Sequence, residues 1–319
     1  MTDFTRRNLI AGATLAAASA PAQAAAPPSG KPAPSIYRYR VGSFEVTALY
    51  DGVWYRPIDE KFVRNADYAD VRQAISDAYM PAEKLATPFT LLLVNTGTKL
   101  ILLDTGTGGQ IAATAGSFGD NLVAAGIDPK TIDTIVISHF HPDHINGIKT
   151  KDNGLIFPNA EIMVPEAEWA FWNDDANLNA APAGLKTAFH NVRRVFADIA
   201  KDVTHYAPGK VVAPGIETVA APGHTPGHTV FAIQSGNDAL MVLSDTTQHP
   251  ALFARHPDWQ PQFDIDGAVA VETRKALLDR AAADRMLVTG YHFPFPACGH
   301  IIKRGNGYEH VPVLWQTTL

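Results

Sequence analysis

The segment His139-Phe140-His141-Pro142-Asp143-His144 places four metal-competent side chains within six residues. It follows Thr134-Ile135-Val136-Ile137-Ser138, an apolar run of the kind that forms a short buried strand. On an extended chain His139 and His141, two residues apart, point the same way. Asp143 and His144 come where the chain turns and face a second point nearby. Polar groups at this density are costly to bury unpaired, so the segment reads as a metal-binding loop. Three other places supply matching donors: His224 in Pro222-Gly223-His224-Thr225-Pro226-Gly227-His228-Thr229, Asp245 after Leu243-Ser244, and His292 after Val288-Thr289-Gly290-Tyr291. Ligands carried on the ends of separate buried strands are held rigidly, as a preorganised site requires. Imidazole and carboxylate without thiolate suit divalent zinc, with manganese, iron or cobalt as alternatives. Such ions activate water for hydrolysis.

The elements that must position these residues alternate between strand and helix. Phe44 to Tyr50 reads as a strand ended by a turn at Asp51-Gly52. Ala66 to Tyr79 reads as a helix, and Pro88 to Asn95 with Lys99 to Asp104 as a hairpin. Asn121 to Ala125 is a helix candidate, and Ile162-Met163-Val164 a strand. Glu166 to Trp172 and Leu185 to Ala200 read as helices. Val211-Val212 and Ile216 to Val219 precede the His224 loop, and Val230 to Gln234 pairs with Leu240 to Leu243 through Ser235-Gly236-Asn237-Asp238. Ala268 to Ala283 is the clearest helix, and Met286 to Thr289 reads as the last buried strand. Two β-rich halves, each ending in helices, predict an α/β (α+β) chain folded as an αββα sandwich in one domain, residues 36–319.

Composition narrows the function classes. The 319 residues are 46% hydrophobic and 18% charged, with a formal net charge of −6, so no basic footprint points to nucleic acid. The single cysteine, Cys298, excludes a disulfide framework and a thiolate cage, and reads as packing rather than a nucleophile. No G-x-S-x-G elbow is present. Thr105-Gly106-Thr107-Gly108-Gly109 lacks the third glycine of a dinucleotide loop, since Ile111 stands there. Residues 1–26 read as a twin-arginine (Tat) signal: Arg6-Arg7 precede an apolar run to Ala20, and Ala22-Gln23-Ala24 supplies a cleavage site. The run falls short of the ~20 residues of a membrane span, so no stable membrane anchor is expected. Residues 27–35 form a proline-rich linker. The expected location is therefore periplasmic or secreted.

From Leu102-Leu103-Asp104-Thr105-Gly106 to His292 the chain resembles the metallo-β-lactamase superfamily, with five motifs in the family's order. The resemblance implies that His139, His141 and His224 hold one metal ion and Asp143, His144 and His292 a second, with Asp245 bridging. It implies that Asp104 orients a metal-site histidine from behind. Asp143 and Asp245 would be the catalytic carboxylates, Asp143 orienting the hydroxide between the metals or passing a proton to the leaving group. His228 reads as a buttress of its loop, and His249, four residues after Asp245, as pocket lining. Trp169, Phe171 and Trp172, with Phe293 and Phe295, would form an aromatic wall for an apolar small-molecule substrate.

Departures between branches of the superfamily bear on the substrate. Asp245 speaks against β-lactamases, and His141 against the flavodiiron relatives. The GHTPGHT loop is shared with glyoxalase II enzymes, but Ser244-Asp245-Thr246-Thr247-Gln248 departs from their pattern. Pro88 to Gly97, Ser138 to His144 and Tyr291-His292-Phe293-Pro294-Phe295-Pro296 resemble the exported branch that contains methyl parathion hydrolase and related lactone or aryl-ester hydrolases. That resemblance implies hydrolysis of lactones or aryl esters, with phosphotriesters as a side or main activity. An exported metal-binding protein without catalysis is the competing class, disfavoured because all seven ligand positions are filled. Arg56 to Pro81 is expected to form a homodimer interface or a cover for the pocket.

Overall fold

The central strands form where apolar residues fall on both faces of a short run, as in β4 and β5. A computed structural model of the chain describes residues 28–30 and 32–319. The signal read over residues 1–26 lies outside the described residues, as do Pro27 and Lys31 of the linker. In the first half β1 (Ile36–Val41), β2 (Phe44–Pro57), α1 (Tyr68–Asp77), β3 (Lys84–Asn95) and β4 (Leu100–Leu103) come first. They are followed by α2 (Phe118–Ala124), β5 (Thr134–Val136), α3 (Pro142–Ile145) and β6 (Glu161–Pro165). Helices α4 (Glu166–Asn173), α5 (Asp175–Ala180) and α6 (Ala183–Phe196) then lead to β7 (Val203–Tyr206). The second half opens with β8 (Val211–Ala213), β9 (Ile216–Ala220), β10 (Thr229–Ser235) and β11 (Asp238–Val242). Helices α7 (Pro250–Phe253) and α8 (Gly267–Ala283) precede β12 (Leu287–Thr289), β13 (Cys298–Arg304) and β14 (Gly307–Pro312).

Each half builds one seven-stranded sheet whose neighbours follow chain order, β1 to β7 and β8 to β14. Side chains alternate across each strand. In β3, Leu92 and Val94 enter the layer between the sheets, while Leu91 and Leu93 face outward. The inter-sheet layer also takes Val46, Leu103 and Val136 from one sheet and Phe231, Ile233 and Val242 from the other. Outside the first sheet Phe118 and Leu122 of α2, Trp172 of α4, and Phe189, Val192 and Phe196 of α6 cover Leu102 and Ile135. Outside the second, Leu277, Leu278 and Ala281 of α8 cover Val230 and Met241. The chain is thus an αββα sandwich, as its sequence led us to expect. Residues Pro34–Leu319 cluster as one compact unit. No helix among the described residues is long and apolar enough to cross a membrane.

Two readings of the sequence need correction. Strand β2 does not end at Asp51-Gly52; it runs on to Pro57 through a register shift between Tyr50 and Gly52. Gly52 has φ 133°, and a Cβ there would lie 2.3 Å from the Thr114 carbonyl oxygen, so the glycine serves a bulge rather than a turn. Nor is the Met286 to Thr289 strand the last, because β13 and β14 form a further antiparallel hairpin that extends the second sheet. Its polar outer residues hide it from a search for buried runs, although Gly305-Asn306-Gly307 marks its turn.

The bulge has a consequence for the site. Buried Asp51 accepts hydrogen bonds from Thr107 N (2.8 Å), Thr107 Oγ1 (2.6 Å) and Phe118 N (2.9 Å), fixing the loop that leaves Asp104. Asp51→Ala strands the Thr107 and Phe118 amides, and the fold is expected to lose roughly 2–4 kcal/mol. Urea unfolding should show this as a lowered midpoint with unchanged slope. Asp51→Asn, which keeps one acceptor oxygen, should lose less.

Candidate metal centre

The chemistry-bearing residues leave the carboxyl ends of parallel strand pairs. Strands β4 and β5 run parallel in the first sheet, and β11 and β12 in the second. Asp104 follows β4, the His139 segment follows β5, Asp245 follows β11 and His292 follows β12. Asp104 (φ 60°) and Ser244 (φ 48°) both adopt the left-handed backbone region where the chain turns off its strand. Such strain, of order 1–3 kcal/mol per residue, persists where surrounding contacts over-determine it. His141 is extended (φ −67°, ψ 151°), and Pro142 at the first position starts α3. That break in period lets Asp143 and His144 join a second group, although the His144 ring stays 4.0 Å from that of His139. His224 arrives from the loop between β9 and β10.

These residues form two groups that share one carboxylate. His139, His141, His224 and Asp245 offer ligand atoms within 4.8 Å of one another, and so do Asp143, His144, Asp245 and His292. In the first group His141 Nδ1 lies 3.1 Å from His139 Nε2 and 2.9 Å from His224 Nε2. Asp245 Oδ2 is 3.3 Å from His224 Nε2 and 2.9 Å from His292 Nε2, while Oδ1 is 3.2 Å from His144 Nε2. Asp143 Oδ2 closes the second group, 3.6 Å from His144 Nε2 and 3.5 Å from His292 Nε2. Asp143 and His141 are the partly exposed members; His139, His144, His224, Asp245 and His292 are buried.

The outer hydrogen bonds decide which way the imidazole lone pairs point. His144 Nδ1 lies 2.8 Å from Asp104 Oδ2, His224 Nδ1 2.8 Å from Asp264 Oδ1, and His292 Nδ1 2.9 Å from the Pro88 carbonyl. A proton on each Nδ1, assigned from these acceptors, leaves Nε2 as an inward lone pair. Among the described residues His144 Nε2 and Asp245 Oδ1 accordingly have no hydrogen-bond partner, although both are buried. Lone pairs and carboxylate oxygens converging without protons are repulsive, and a cation resolves the repulsion. With protons alone the site draws them in. Burial opposes charge on His144, yet Asp245 and Asp104 hold its pKa well above the ordinary value. Burial likewise opposes charge on His224, but Asp245 and Asp264 raise its pKa to about 9. The donor set therefore fits two divalent cations, with Asp245 placed between them.

The aromatic residues expected to line a pocket divide. Trp172 is buried with its ring 6.1 Å from that of His141, beside the first group. Trp169 packs instead on Phe140, Phe196 and His205, and Phe171 on Trp172 and Phe189, so both serve the helix layer. Phe293 is buried in the layer under α8, and Phe295 packs into the inter-sheet layer and against Tyr50. Both readings as wall residues are corrected by the turn after β12, which sends the two rings into the sandwich. His249 caps α7 by accepting from Ala251 N (3.3 Å); burial first, then the charge of nearby His292, lowers its pKa to about 4. His228 supports the centre without joining either group: Nδ1 meets the Ala221 carbonyl and Nε2 accepts from Asp245 N (3.0 Å). Burial, then the charge of His224, lowers its pKa to about 3, which keeps the acceptor lone pair free.

Three supporting residues carry no local signal in the sequence. Asp264 stands forty positions beyond its partner His224 and is held in turn by buried Arg274 (3.0 Å). Glu168, on α4, accepts from Phe140 N (2.9 Å), Trp172 Nε1 (2.7 Å) and Gly227 N (2.7 Å), tying the His139 and His224 loops together. Only glycine fits at 227, where a Cβ would lie 2.5 Å from Glu168 N.

Two variants separate the shared ligand from its supports. Asp245→Ala should lose both ions, whereas Asp264→Asn should weaken only the group containing His224, by about 10- to 100-fold in affinity. Chelator competition followed by metal analysis reads both. Two ions retained in Asp245→Ala would remove that residue from its shared position.

Comparison with known proteins agrees with this geometry. Residues 89–292, well over half of the chain, match the metallo-beta-lactamase superfamily. The structure of AidC, described as a dizinc quorum-quenching lactonase in complex with a product N-hexanoyl-L-homoserine, superposes with a TM-score of 0.83 at 30% identity. That match covers 89% of this chain and 99% of AidC. AbOPH, described as a hydrolase in the beta lactamase superfamily, gives a TM-score of 0.83 at 28% identity over 90% of this chain and all (100%) of its own. The N-acyl homoserine lactonase AttM of Azorhizobium caulinodans is 29% identical over 198 residues, 58% of this chain. Its counterpart in Agrobacterium fabrum is 30% identical over 134 residues, 39% of this chain. The chain spans 66% and 44% of the lengths of these two curated relatives, less than two-thirds in each case. Every residue of both ligand groups falls within the matched span, and on that span the chain belongs to the metallo-beta-lactamase superfamily.

Proposed function

We propose that the protein is a metal-dependent hydrolase that opens lactone rings, with N-acyl homoserine lactones as the substrate class. The pair of ligand groups sharing Asp245 carries this reading, and the likeness to AidC and the AttM lactonases supports the substrate class. Two divalent ions, zinc in our reading, would be held by His139, His141, His224, Asp143, His144, His292 and Asp245, and would acidify a water and polarise a carbonyl. The chain's own part is to hold donors and move a proton. Asp104, Asp264 and the Pro88 carbonyl keep His144, His224 and His292 in the tautomer that turns Nε2 inward. Asp143 lies at the partly open edge of the site, its backbone carbonyl accepting from Tyr291 Oη at 2.6 Å. In this reading its carboxylate takes a proton from the attacking water and returns it to the ring oxygen as that bond breaks. The hydroxyl adds to the acyl carbon and the proton to the alkoxide, giving a hydroxy acid.

A second reading is phosphotriester or aryl-ester hydrolysis by the same residues. The likeness of the Tyr291 to Pro296 segment to the branch containing methyl parathion hydrolase favours it. The Arg6-Arg7 segment supports export, which would place either reaction outside the cytosol.

A kinetic panel of N-hexanoyl homoserine lactone, phenyl acetate, a dialkyl aryl phosphate and a β-lactam tests the choice. The acyl homoserine lactone should lead in kcat/KM by at least about tenfold, corresponding to roughly 1.4 kcal/mol. A phosphate or β-lactam preferred by a similar margin would overturn the lactonase reading. Chelator treatment should abolish turnover and added zinc restore it. Asp143→Asn should lower kcat about a hundredfold or more.

A further inference from the structure

We propose that Arg56 selects among substrates by binding a second oxygen acceptor, an amide carbonyl or a carboxylate, that lies beyond the scissile ester. This rests on the lactone-hydrolase reading. Arg56 sits on the part of β2 past the bulge, paired with Leu85 of β3, three residues before the Pro88 whose carbonyl orients His292. Its guanidinium carbon lies 3.9 Å from the ring centre of Phe263, 4.6 Å from that of Trp54 and 5.5 Å from that of Phe62. Phe263 directly precedes Asp264 and Ile265, which hold His224 through its Nδ1 and its carbonyl. A cation held by aromatic rings thus shares its strand pair and its aromatic contacts with the segments that orient His292 and His224. Burial lowers its pKa to about 10, opposed first by the charge of Asp143, so it remains charged at neutral pH.

What distinguishes Arg56 is what it lacks. Among the described residues no acceptor meets any of its N–H groups, and Nε is buried without a partner. Arg274 shows how this fold treats a structural arginine: it donates to Thr246 O, Pro257 O, Trp259 O and Asp264 Oδ2. A half-buried guanidinium whose buried Nε has no partner is costly, and groups kept at such cost cluster at functional sites. Its planar fork suits a carbonyl or carboxylate oxygen, and the rings of Trp54 and Phe263 give an apolar wall for an acyl chain. A lactone with an acylamino substituent presents both features; a plain alkyl lactone presents only the second.

The test compares N-hexanoyl homoserine lactone with an alkyl γ-lactone of similar length, in wild type, Arg56→Met and Arg56→Lys. Melting temperature and metal content serve as controls for folding. In Arg56→Met, kcat/KM for the acylamino lactone should fall about tenfold or more through KM, as loss of a charged hydrogen bond predicts. The alkyl lactone should change by less than about twofold, and Arg56→Lys should recover part of the loss. A γ-lactone bearing a carboxylate, assayed alongside, separates the two acceptors: the larger Arg56→Met effect identifies the preferred one. Equal losses on all lactones, or no loss on any, would overturn the assignment. A wild type that turns over no lactone would instead overturn the lactonase reading.

Discussion

Asp245 is buried with imidazole nitrogens at 2.9, 3.2, 3.3 and 3.9 Å, from His292, His144, His224 and His139. Neither its charge nor the lone pairs around it can be left unanswered at this depth of burial. Much of the architecture follows from this concentration of like partial charge. Ligands that repel one another must be fixed by elements stiffer than the repulsion. The ends of β4, β5, β11 and β12, each embedded in a sheet covered on both faces, provide that stiffness.

A second ring of interactions converts stiffness into chemistry. Asp104, Asp264 and the Pro88 carbonyl set the tautomers of three histidines, and His228 holds the Asp245 amide. Glu168 joins the His139 loop of one half to the His224 loop of the other. Asp51 joins β2 to the chain leaving Asp104. Glu168 and Asp51 are buried acceptors that each take three bonds, so each raises the cost of moving the ligand loops apart. The centre is thus assembled by both halves, and neither sheet alone carries a complete ligand group.

Arg274, which is buried, and Arg56, which is half-buried, illustrate how position decides the role of one residue type. Arg274 spends its donors on three carbonyls and Asp264, stabilising a loop that orients His224. Arg56, one element away from the second ligand group, is held by aromatic faces and keeps its donors unused. The same charge is structural in one place and, in our reading, selective in the other.

The amino-acid sequence alone determined the layering and the inventory of donors. Apolar runs gave most of the strands, though not β1, β7, β13 or β14, and helix periodicity gave α6 and α8. The density of histidine and aspartate after apolar runs marked the ligand loops, because those residue types have few inexpensive uses at strand ends. Contacts between distant positions were decided only by the tertiary structure. Asp264 meets His224 across forty residues, Glu168 meets Gly227 across fifty-nine, and Arg56 meets Phe263 on separate elements. Rings at Trp169, Phe171, Phe293 and Phe295, which could have lined a pocket, turned into the layers because the direction of a side chain depends on the packed partner element. A sequence records which groups a chain owns and the period on which they recur. Which of them share a few cubic ångströms is set by the closing of the two sheets, an interaction with no local signature.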